Sequence, residues 1–68
     1  MASKAFELKQ KIAMALPKGE LPWGVFGRIN LKTGLSLGRV DDKTEMTDEQ
    51  IEKIRVAARE ILGPWFKG

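Results

Sequence analysis

The chain has no cysteine, no histidine and no tyrosine among its 68 residues. Without cysteine there can be no disulfide and no thiolate nucleophile, and without either residue the usual zinc ligands and the commonest general base are missing. Neither a metal nor a covalent staple therefore supports the fold. At this length burial only just exceeds chain entropy, so stability must come from packing, with self-association as a further source. Long apolar runs are also lacking. Nothing approaches the roughly 20 apolar residues of a membrane span, and the opening Met-Ala-Ser-Lys-Ala-Phe lacks the apolar run of a signal peptide. These absences predict a soluble, cytoplasmic protein with no membrane partner.

Catalytic patterns are as scarce. Asp41, Asp42 and Glu45 do not have the spacing of a calcium loop, no Gly-rich phosphate loop precedes a helix, and no serine is followed by a suitable base. Lys32-Thr33-Gly34 matches a short motif of penicillin-recognising enzymes, but the Ser-x-x-Lys partner of that motif is absent and the tripeptide reads as a turn. The expectation is a non-enzymatic protein with no cofactor and no metal.

What is present is charge, and it is segregated. Residues 1–40 carry seven Lys and Arg against two acids, residues 41–52 carry six acids against one Lys, and residues 53–68 carry four Lys and Arg against one acid. A basic body is interrupted by an acidic stripe. Part of that stripe serves a helix N-terminus, and the rest can solvate a loop or meet a partner.

The clearest local pattern runs from Met46 to Gly63. Thr47 is an N-cap whose hydroxyl can accept from the Gln50 amide while the Gln50 side chain reaches back, as in a capping box. Met46 and Ile51 occupy the positions of a hydrophobic staple, Asp48 and Glu49 oppose the dipole, and Gly63-Pro64 ends the helix. Ile51, Ile54, Ala58, Ile61 and Leu62 mark its buried side. A first helix starts at Ser3 and runs to about Leu16, with Ala5, Leu8, Ile12, Ala15 and Leu16 on one face and Pro17 following.

Between the helices, Val25–Leu31 and Leu35–Val40 read as two strands around Lys32-Thr33-Gly34, a three-residue loop with glycine at its left-handed position. Pairing Leu31 with Leu35 puts Val25, Ile29, Leu31, Leu35 and Leu37 on one face for the helices to cover. Phe26, Arg28, Asn30, Ser36 and Val40 then lie on the other, with Gly27 opposite Arg39 and Gly38 opposite Arg28. The predicted fold is a single α+β domain over 1–68, α-β-β-α, with a helix over about 3–16, a hairpin over about 25–40, a helix over about 47–62 and a short aromatic tail. Both helices pack on one face of the hairpin.

Two functions follow from this arrangement. In the first, the protein is a small nucleic-acid-binding or regulatory factor: Arg28, Lys32 and Arg39 on the hairpin, Trp23 at its base, and Arg55 and Arg59 one turn apart on the last helix form a basic, aromatic surface. In the second it is a protein-binding accessory factor, an inhibitor or adaptor of a larger machine. It then acts through Asp41, Asp42 and Glu45 and an anchor made of Trp65 and Phe66, two aromatics at a chain end that would otherwise fray. A homodimer is compatible with either. The order helix, hairpin, helix is shared by several small nucleic-acid-binding and viral accessory proteins, an analogy of order alone.

Overall fold

Ser3 starts the first helix as the sequence predicts: in the computed structural model, which describes residues 3–66, its hydroxyl accepts from the Phe6 amide at 3.2 Å. Helix α1 covers Lys4–Met14 and buries Ala5, Leu8 and Ile12. It ends two residues short of the predicted Leu16; Ala15 and Leu16 still pack against the core from the turn that follows.

The segment expected to be a hairpin is not one. Helix α2 covers Pro22–Thr33, a 3-10 turn follows at Leu37–Arg39, and no strand occurs among the described residues. The α+β, α-β-β-α class is thereby corrected to an all-helical one, and the Leu31 to Leu35 register does not exist. The physical reasons lie in residues that fit both readings. Val25 and Ile29 are four apart, a spacing that satisfies a strand's period of 2 and also one turn of a helix. With Phe26 they form the buried stripe of α2. Pro22 sits at the start of the helix, where its fixed φ is pre-organised and its missing N–H costs nothing. Gly34, expected at a hairpin tip, adopts φ 73° as the helix C-cap instead, and its N–H donates to the Asn30 carbonyl. Thr33 reinforces the stop: its hydroxyl donates to the Ile29 carbonyl at 2.8 Å and accepts from the Leu35 amide at 3.1 Å.

The Leu37–Arg39 turn is held to α2 by the Asn30 carboxamide, whose Oδ1 accepts from the Leu37 amide at 2.7 Å. Leu37 and Val40 are buried there. Phe26 and Val40, expected on an outward ligand-facing side, are thus core residues, and Leu31, expected in the core, is on the surface.

Helix α3 covers Asp48–Leu62 and has the predicted capping box in full. The Gln50 amide donates to Thr47 Oγ1 at 3.1 Å and the Thr47 amide donates to Gln50 Oε1 at 3.0 Å. Ile51, Ile54, Ala57, Ala58 and Leu62 are buried, and Met46 and Ile61 pack against the core from its edge. A second 3-10 turn, Gly63–Trp65, turns the chain back so that Phe66 joins that core. Helix α3 packs against both α1 and α2, and the Leu37–Arg39 turn packs against α2. Ile12, Val25, Ile29, Leu37 and Ile54, from α1, α2, the Leu37–Arg39 turn and α3, are the largest fully buried side chains.

Candidate interaction surface

With Val25, Phe26 and Ile29 directed inward, the opposite side of α2 must carry Gly24, Gly27 and Leu31, with Trp23 and Arg28 on its two edges, because successive helical residues are about 100° apart. The exposures agree. Trp23 is 72% exposed and Leu31 89%, and Leu21, at the N-cap, is 71% exposed. At Gly24 and Gly27 a Cβ would meet nothing within 4 Å. The surface is therefore a strip of bare backbone between three large apolar side chains.

Trp23 is partly held in place. Its ring stands edge-on to Phe26, with centroids 6.1 Å apart and planes at 87°. It also lies over Gly38, where an added Cβ would come within 3.4 Å of the indole. The indole therefore packs on Gly38 at ordinary contact distance, which a Cβ there would also allow.

The cations expected to grip phosphate are dispersed, and three are engaged by acids. Arg28 lies 4.0 Å from Glu20, Lys32 Nζ 2.8 Å from Glu60 Oε2, and Arg55 Nη1 2.7 Å from Glu52 Oε2. Arg28 and Lys32 share one edge of α2, Arg39 is exposed at the end of the Leu37–Arg39 turn next to Gly38, and Arg59 is exposed in the last turn of α3. Arg55 is half-buried, and its Nε is enclosed without a hydrogen-bond partner. Lys32, Glu49, Glu52, Lys53, Val56 and Glu60 line an open groove between α2 and α3, and its mixed signs offer no single-sign site.

The residues of the second predicted site part company. Trp65 is 60% exposed while Phe66 is only 6% exposed, so one half of the expected anchor is on the surface and the other is core. Asp41, Asp42 and Glu45 are all exposed. Asp41 is occupied locally: its carboxylate accepts from the Lys43 amide at 2.9 Å and from the Thr44 hydroxyl at 3.0 Å. The hydrogen bond from the Lys43 amide, followed by that from Thr44, holds its carboxyl below the ordinary aspartate value. The same loop ties down the start of α1, since the Ser3 amide donates to the Asp42 carbonyl at 3.1 Å.

Sequence reasoning missed Leu21, Leu31 and the pair Gly24 and Gly27 as one surface. The signal was there: Gly24, Gly27 and Leu31 recur at three and four residues, which is one side of a helix. It becomes visible only once residues 22–33 are read as helical. Lys9 was also missed, and its role is structural, as its contacts with the Leu37–Arg39 turn show. Among the described residues no group of three or more acidic side chains is arranged to hold a metal, and no helix is long and apolar enough to cross a membrane. The chain matches no family model, no curated protein and no solved structure.

Proposed function

We propose that this chain is a non-enzymatic accessory or regulatory protein that works by binding another protein chain, and that it docks through the outer face of α2. The observation carrying this reading is the run of Leu21, Trp23 and Leu31 left exposed along one helix beside two bare glycines. A domain this small has little apolar area to spare, and an apolar strip with a tryptophan at its rim and charged pairs at its edge is the composition of a protein interface. Trp65 adds a second exposed aromatic, as the anchor reading requires of it, while Phe66 contributes to stability instead.

Nucleic-acid binding keeps one local observation in its favour: the exposed Trp23 ring lies on Gly38, directly before Arg39. An exposed indole is a platform on which an unstacked base can stack. Capture from cell extract, with and without nuclease, separates the two. Protein binding predicts a captured protein that survives nuclease and is lost on Leu31→Glu but retained by Arg39→Ala. Capture that vanishes with nuclease and with Arg39→Ala would transfer the function to nucleic acid.

A further inference from the structure

We draw no further inference here: the strongest candidate, the outer face of α2 where Leu21, Trp23 and Leu31 are exposed beside Gly24 and Gly27, belongs to the surface already described, its edge cations Arg28 and Lys32 are paired within the chain with Glu20 and Glu60, and nothing in the structure shows what covers it.

Discussion

The Lys9 ammonium donates to the Val40 carbonyl at 2.9 Å and, from the same nitrogen, to the Gly38 carbonyl at 3.1 Å. It also stands 5.6 Å from the centre of the Phe26 ring. One side chain of α1 thus closes the C-terminal end of the Leu37–Arg39 turn and covers a core aromatic of α2. Short helical turns leave carbonyls without partners at their C-terminal end, and a cation there supplies donors that complement the local negative potential. Replacing Lys9 by Met keeps the aliphatic stem but leaves both carbonyls unmet. The expected cost is about 1–2 kcal/mol in a denaturant midpoint measurement, and a change below a few tenths would show that water takes over the role.

Thr47→Ala removes the acceptor of the Gln50 amide and one half of the capping box. A loss of about 1 kcal/mol is expected. Ser3 caps α1 by the same bond, so Ser3→Ala should act in the same direction, which denaturation of the two single variants will compare.

Glycine substitutions in α2 should diverge in sign. Gly24→Ala and Gly27→Ala meet no obstacle and gain helix propensity, so each should raise monomer stability by about 0.5–1 kcal/mol. Gly34→Ala forces a side chain into φ 73° and should lower it by about 1 kcal/mol. Urea titrations at low protein concentration measure all three without interference from association.

Trp65 and Phe66 should separate as sharply in energy as they do in exposure. Phe66→Ala empties a buried site and should cost about 3 kcal/mol or more, whereas Trp65→Ala should cost under about 1 kcal/mol. Thermal melts of the two variants decide this. Equal losses would mean that Trp65 is covered in solution.

Asp41 sets one acid limb of stability. Its carboxyl is held below the ordinary value by the Lys43 amide and the Thr44 hydroxyl. The unfolded chain therefore binds a proton at a higher pH than the folded one, and the stabilisation is complete above the ordinary aspartate range and lost as pH falls through the lowered value. Melting temperatures of the parent and of Asp41→Asn, compared from neutral pH downward, should converge in acid. A constant gap would mean that the loop is equally held when Asp41 is protonated.

Helices α1 and α3 were legible in the sequence because everything that defines them is local. Ser3 and Thr47 sit where caps belong, the apolar residues that follow recur at helical spacing, and Ala5, Leu8, Ile12, Ile51, Ile54, Ala58 and Leu62 are all buried as that spacing requires. Helix α2 was not, since its local cues balance. Two glycines and the β-branched Val25 and Ile29 weaken helix propensity, and Lys32-Thr33-Gly34 serves a hairpin loop or a helix C-cap equally well. What decided between them was burial. As a helix, this segment puts Val25, Phe26 and Ile29 together into the core with Leu37 and Ile54, which neither strand register achieves, because alternation would send Phe26 to the other side. The site followed the same division. The sequence by itself placed Trp23 at the base of a basic surface and Trp65 and Phe66 together at the last helix's end, without deciding which of them is buried. Only the tertiary structure turned Leu31, Gly24 and Gly27 to the same outer face and drew Phe66 inward, because which side of a helix faces solvent is settled by what packs against the other.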